Sequence, residues 1–339
     1  VSEKALRSLS PWQALYAGGH RLRRRWFDAR AARLPRPVIS IGNLHWGGSG
    51  KTPLTAAVAA HLVSRGRRVA ILSRGYGRKD RQVRIVSTGD GPLLGPSVAG
   101  DEPVLLAGEV PGAAVIVAPR RYDAGRHAME RLDPPPDLFV LDDGFSHLAL
   151  ARDLDLLVLP SADPLGGGRL WPSGRLREPL ASAATADALV LSGGSQSAAA
   201  AVAATLGTFG FSGPGFGCER LFAPPRRVTG EPLADGARVL LVSGIARPAE
   251  FESAAACRGL TIVAALSFDD HHRYPEASLR EIDAAFRSAG AEVVLATAKD
   301  RVKLLGRLDL PLAELPLSVA PDPAFWPWLD ARVGAFESR

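Results

Sequence analysis

Apolar residues recur along this chain in two registers, as short continuous runs and as longer stretches in which they return every three or four positions. The runs fall at 38–41, 69–72, 115–118, 138–141, 154–159 and 188–191, and read as strands buried on both faces. Helical spacing at 54–65, 102–109, 120–132 and 178–184 separates most of them. Such alternation predicts an α/β fold with a parallel sheet sandwiched by helices. A glycine- and proline-rich stretch, 207–225, then marks a boundary. A second alternation follows, with strands at 239–243, 260–266 and 293–296 and helices from Pro248 and over 277–289. Three parts are therefore expected: a helical segment over 1–36, a larger core over 37–220, and a smaller α/β domain over 221–339 that contributes to the cleft. The aromatic run Phe325-Trp326-Pro327-Trp328-Leu329 reads as an anchor for the last helix.

The N-terminal segment has its own pattern. Leu6, Leu9, Trp12, Tyr16, Leu22 and Trp26 recur near helical spacing, and Gly18-Gly19 offers a point of interruption. Ser10, Pro11 and Gln13 supply an N-cap, a proline at the first helical position and a capping-box glutamine. Of the net charge of +6, residues 1–37 contribute +7, so the remainder is essentially neutral. That distribution argues against a broad nucleic-acid surface. A basic helix with Trp, Tyr and Leu can lie in an anionic membrane interface, or can pack on the protein's own body with a solvated basic face. No run approaches the roughly 20 apolar residues that span a bilayer, and no signal-peptide core is evident. With 339 residues, 46% of them apolar and 22% charged, the chain can bury a large core in more than one domain. Cys218 and Cys257 suit a reducing compartment and lack metal-ligand spacing.

The strand at 38–41 leads into Gly42-Asn43-Leu44-His45-Trp46-Gly47-Gly48-Ser49-Gly50-Lys51-Thr52-Pro53, and a helix leads out. Strand, glycine loop, Gly-Lys-Thr and helix make up a phosphate-binding loop. Gly47, Gly48, Ser49, Gly50, Lys51, Thr52 and Pro53 are the expected nucleotide-binding residues. Glycines let backbone N–H groups turn toward phosphate, and the helix N-terminus adds its positive end. Lys51 would reach the terminal phosphates and Thr52 would hold Mg²⁺. The strict pattern has glycine where His45 stands, so Gly47 and Gly48 must supply the turn.

A second buried run ends in Asp142-Asp143-Gly144-Phe145. Acids at the carboxyl end of a core strand face a phosphate loop and bind Mg²⁺ directly or through water. Alone the pair is a turn signal, but with Lys51 and Thr52 upstream the metal reading dominates. Ser73-Arg74-Gly75-Tyr76-Gly77 should be a loop at the same end of the sheet, and Asp101 opens a helix as a candidate N-cap. Asp269-Asp270-His271-His272 lacks the spacing of a helical zinc site. Thr297-Ala298-Lys299-Asp300 has its lysine one place too late for a guanine-reading motif.

Taken in order, these segments resemble the tetraacyldisaccharide 4′-kinase family of lipid A biosynthesis. The likeness rests on the phosphate loop, Ser73-Arg74-Gly75-Tyr76-Gly77, Gly100-Asp101-Glu102-Pro103, Asp142-Asp143-Gly144-Phe145 and 150–155. It continues through Leu176-Arg177-Glu178-Pro179, Asp270-His271-His272 and Lys299-Asp300, and so covers most of the chain. Ser146 and Arg175 depart from the family pattern, where glutamine and proline are usual.

The resemblance implies a P-loop NTPase-type fold with a second smaller α/β domain. It further implies transfer of the ATP γ-phosphoryl group to the 4′-hydroxyl of a tetraacylated glucosamine disaccharide 1-phosphate, forming lipid IVA. ATP is then co-substrate, Mg²⁺ is held by Thr52, Asp142 and Asp143, and Lys51, Asp101 and His271 are catalytic. Arg74, Arg120, Arg121, Arg177 and Glu178 become candidates for substrate contact. A peripheral place on the cytoplasmic face of the bacterial inner membrane, reached through the N-terminal helix, follows from the lipid substrate. No nucleic-acid or obligate protein partner is expected. The competing class is a P-loop ATPase or GTPase switch of metallochaperone or partitioning type; the lack of a guanine-reading motif and of a Cys/His delivery segment tells against it.

Overall fold

The computed structural model describes residues 11–78 and 80–337; the expected positions Leu6, Leu9 and Ser10 lie outside them. Helix α1 (Pro11–Asp28) continues through Gly18 and Gly19. The next elements are β1 (Val38–Gly42), α2 (Lys51–Ser64), β2 (Val69–Ser73), β3 (Arg84–Ser87), α3 (Pro96–Ala99) and α4 (Asp101–Glu109). They are followed by β4 (Ala114–Val117), α5 (Arg121–Arg131), β5 (Leu138–Asp142), β6 (Leu154–Pro160), β7 (Ala188–Ser192), α6 (Gln196–Gly207) and β8 (Gly215–Phe222). A second series comprises β9 (Arg226–Arg227), β10 (Arg238–Ser243), α7 (Pro248–Ala256), β11 (Thr261–Ser267), α8 (Glu276–Ala289), β12 (Val293–Thr297), α9 (Ala298–Leu304) and β13 (Leu312–Leu315). The chain closes with β14 (Leu317–Pro321) and α10 (Phe325–Glu337).

The large sheet has the order β14-β8-β7-β6-β1-β5-β2-β4-β3. Its interior is parallel, and only the edges β3 and β14 run antiparallel to their neighbours. All five residues of β1 are buried, as expected of a strand covered on both faces. Register sets Ile41 beside Asp142 on one side and beside Leu156 on the other. The chain leaves β1 toward β2 and later returns to its opposite side as β6, opening a crevice beyond the carboxyl ends of the strands.

The second sheet, β11-β10-β12-β13-β9, is parallel except for β9. The expected 221–339 unit ends earlier than the pattern implied. Strand β14 pairs with β8 from Leu317↔Phe222 to Pro321↔Cys218, and Phe325, Leu329 and Val333 are buried in the core of the large sheet. Covering the β8 edge and burying the apolar face of α10 favour that return. The 207–225 boundary likewise contains β8, an integral strand, and the helix expected at 178–184 is a 3₁₀ stretch, Leu180–Thr185.

Candidate active site

The phosphate loop leaves β1 at Gly42, where an added Cβ would sit 2.5 Å from the Cβ of Phe145. This close approach brings the Asp142-Asp143 segment against the loop. Gly50, the residue before α2, is left-handed at φ +85°, and a Cβ there would run into the hydroxyl of Ser192. Lys51 and Thr52 therefore begin a 14-residue helix whose first N–H groups point out of the sheet end. Gly47 and Gly48 are exposed, and Gly48 faces Ala246 of the second unit.

The loop is strapped from outside by residues 163–177. Trp46 N donates to Arg175 O at 2.9 Å, Arg177 N donates to Leu44 O at 2.7 Å, and Asn43 Nδ2 donates to Ser49 Oγ at 2.7 Å. The His45 ring is buried 3.0 Å from Asp163 O, and burial pushes its pKa down to about 4. His45 is therefore a neutral anchor, which explains a non-glycine at that place.

The two acids at the end of β5 differ in their surroundings. Asp142 is buried; Oδ1 accepts from Thr55 Oγ1 at 3.3 Å, and Oδ2 has no partner among the described residues. Burial, and after it the charges of Glu102 and Asp143, push its pKa upward. A buried carboxylate oxygen lacking a donor, beside a second acid, fits a divalent cation or its water. Asp143, at φ +50°, is engaged differently: Arg177 Nη2 lies 2.7 Å and Lys51 Nζ 3.7 Å from its Oδ1. Burial disfavours its charge, but Lys51 and Arg177 hold it well below the usual carboxylate range.

A third acid meets the second unit. Asp101, the first residue of α4, is buried, and its Oδ2 lies 3.1 Å from Nδ1 of His271. Burial opposes ionisation there, but the His271 hydrogen bond and the charge of Lys299 hold the pKa at about 2. His271 is strained at φ +63°, and Tyr76 packs against its ring at 5.1 Å. His272 turns away, bonding Ser278 Oγ at 2.8 Å and stacking on Phe268. A run of charges thus leads from Lys51 past Asp142 and Glu102 to Lys299 and Asp101.

The remaining candidates separate. Arg121 is buried with its charge directed at Asp143 and Asp142, its Nε has no partner among the described residues, and burial lowers its pKa to about 10. Arg74, exposed at the end of β2, acts on the same cluster, whereas Arg120 is exposed at the start of α5. Glu178 is buried and taken up by Arg24 Nη2 at 2.6 Å and by Ser146 Oγ. Sequence reasoning missed Thr55, one helical turn beyond Lys51, and the roles of Glu102 and Lys299, whose partners are far away in the chain.

A phosphate loop leaving a central parallel strand, with an acid on the adjacent strand, is the arrangement of P-loop kinases, and this chain has that fold. The solved LpxK of Aquifex aeolicus, crystallised with ATP, superposes with a TM-score of 0.75 at 32% identity, covering 96% of this chain and 97% of that one. The match to the LpxK family, tetraacyldisaccharide-1-P 4′-kinase, extends over residues 5–334, and the chain belongs to that family. Its relatives include the tetraacyldisaccharide 4′-kinase of an Anaeromyxobacter species, 44% identical over 86% of this chain and 81% of the relative. That of Geobacter sulfurreducens is also 44% identical, over 86% and 82%.

Proposed function

We propose that this protein transfers the γ-phosphoryl group of ATP to the 4′-hydroxyl of a tetraacylated glucosamine disaccharide 1-phosphate, in lipid A biosynthesis. The observation that carries the reading is the Asp101–His271 contact, made between the two units beside a complete phosphate loop. In the transfer, the acceptor oxygen bonds to the γ-phosphorus as the bond to the bridging oxygen breaks. ADP leaves with that electron pair, and the hydroxyl proton passes to Asp101.

Such transition states are loose, so positioning and charge matter more than base strength. A carboxylate held at about 2 is a weak base but ionised at neutral pH, and a loose transition state needs the proton removed only late. Lys51 exchanges Asp143 for the terminal phosphates, and Arg121 faces the same charge. Asp142 and Thr52, with Asp143 beside them, would hold Mg²⁺, which when bound neutralises charge on the phosphates. Building the base from both units ties proton acceptance to their approach and limits hydrolysis by water.

A lipid acceptor requires a membrane surface, and α1 supplies features for one. Its inner face packs on the body through Ala17, Tyr16 and Arg24. Trp12, Leu15, Leu22 and Trp26 stay exposed, and at helical pitch they fall within an arc of about 80°. No helix among the described residues is long and apolar enough to cross a membrane. A peripheral position on the cytoplasmic face of the inner membrane is the reading this supports.

Incubation with labelled ATP, Mg²⁺ and the disaccharide 1-phosphate should give a labelled 4′-phosphate, and Asp101→Ala should bind ATP while transferring at least about 10²-fold more slowly. ATP hydrolysis independent of any lipid acceptor would overturn the assignment.

A further inference from the structure

Lys299, the second residue of helix α9 in the second unit, reaches the carboxylate–imidazole pair from the side opposite Asp101. Its Nζ lies 3.2 Å from Nε2 of His271, 3.1 Å from Glu102 Oε1 and 3.8 Å from Asp270 Oδ1. The other groups around the imidazole are Asp101 on Nδ1, Tyr76 tilted against the ring, and Lys303, whose Nζ is 3.9 Å from Asp101 Oδ2. An ammonium has only donors and a carboxylate only acceptors. Between a lysine on Nε2 and an aspartate on Nδ1, one neutral tautomer satisfies both contacts: Nδ1 carries the proton and donates to Asp101, while Nε2 accepts from Lys299. Burial disfavours the lysine's charge, but Glu102, Asp101 and Asp270 raise its pKa, so it remains a donor.

We infer that Lys299 is a positioning residue that fixes His271 as the Nδ1–H tautomer and occupies Nε2. Asp101, not the imidazole, is thereby left to receive the acceptor's proton. Glu102 and Asp270 hold the ammonium in place, so residues flanking both members of the pair determine its protonation pattern. The left-handed backbone at His271 presents the ring between the two charged groups, a local strain that the three contacts offset.

The inference rests on the phosphoryl-transfer reading for its kinetic consequence only. In the full chain, nitrogen-15 NMR of the histidine side chains at neutral pH, with His271 assigned through His271→Ala, should show a neutral ring protonated on Nδ1. A ring protonated on Nε2, or on both nitrogens, overturns the inference whatever the enzyme's substrate. In turnover, Lys299→Met should lower kcat by about 10–100-fold, the range for removing a partner that orients a functional imidazole, and leave the KM for ATP within about twofold. Lys299→Arg, which keeps the donor and charge, should recover most of that loss. Because Lys299 acts through His271, Lys299→Met/His271→Ala should be no slower than His271→Ala alone. Additive losses, or a rise in KM with kcat unchanged, would reduce Lys299 to a latch between the units and refute the positioning role.

Discussion

Arg24 and Glu178, 154 residues apart, form an ion pair of 2.6 Å beneath helix α1. The carboxylate is only 1% exposed and also accepts from Ser146, so the pair is a buried polar tie between the helix and the body. Removing the guanidinium strands a buried charge. Arg24→Met should therefore cost about 3 kcal/mol in denaturant unfolding, whereas Arg24→Met/Glu178→Gln should recover much of it. Equal losses in both variants would mean that packing, not charge, holds α1. Burial opposes the ionisation of Glu178, but Arg24 and Ser146 lower its pKa. Its contribution is thus present above the unfolded-state value and is lost as pH falls through the folded one.

Thr55 is the one described donor to Asp142. Thr55→Val keeps the shape and removes the hydroxyl, leaving both carboxylate oxygens without a protein donor. The half-saturating Mg²⁺ concentration for ATP turnover should rise about 10–100-fold. An unchanged Mg²⁺ titration would detach Asp142 from metal binding.

His45 supplies a pH dependence. Its pKa is lowered by burial to about 4 from an unfolded value near 6.5. The unfolded chain therefore takes up a proton that the folded one refuses, and stability falls as pH drops from about 6.5 toward 4, by about 3 kcal/mol in all. His45→Gln, unable to ionise, should flatten unfolding free energy over that window relative to the parent. Parallel curves for the two proteins would show that His45 is not the titrating anchor.

The exposed stripe on α1 gives a prediction that separates membrane contact from folding. Replacing Trp12, Leu15, Leu22 and Trp26 with serine should lower partition onto vesicles containing anionic lipid by at least about tenfold. The melting temperature should stay within a few degrees, since each of these residues is more than half exposed. Unchanged partitioning would assign the stripe to some other role.

Most of the strand-and-helix alternation was legible in the chain, because strands buried on both faces must be continuous apolar runs and their crossovers must be amphipathic. The phosphate loop and the Asp142-Asp143 pair were legible too, each being a short contiguous unit whose chemistry depends on local backbone geometry. The fate of β14 and α10 was not, since an apolar strand and helix carry no mark of which exposed sheet edge they will cover. Nor could local pattern divide the work of the two carboxylates: adjacent in the chain, one faces Thr55 and the other Lys51 and Arg177. The same holds for His271 and His272, one turned to Asp101 across the units and the other to Ser278 within its own. Contacts between residues such as Lys299 and Glu102, 197 positions apart, arise only when two sheets meet. Residue type and spacing carry chemistry within a few turns of chain; partners at a distance are decided by packing, and with them which nitrogen holds a proton and which acid is free.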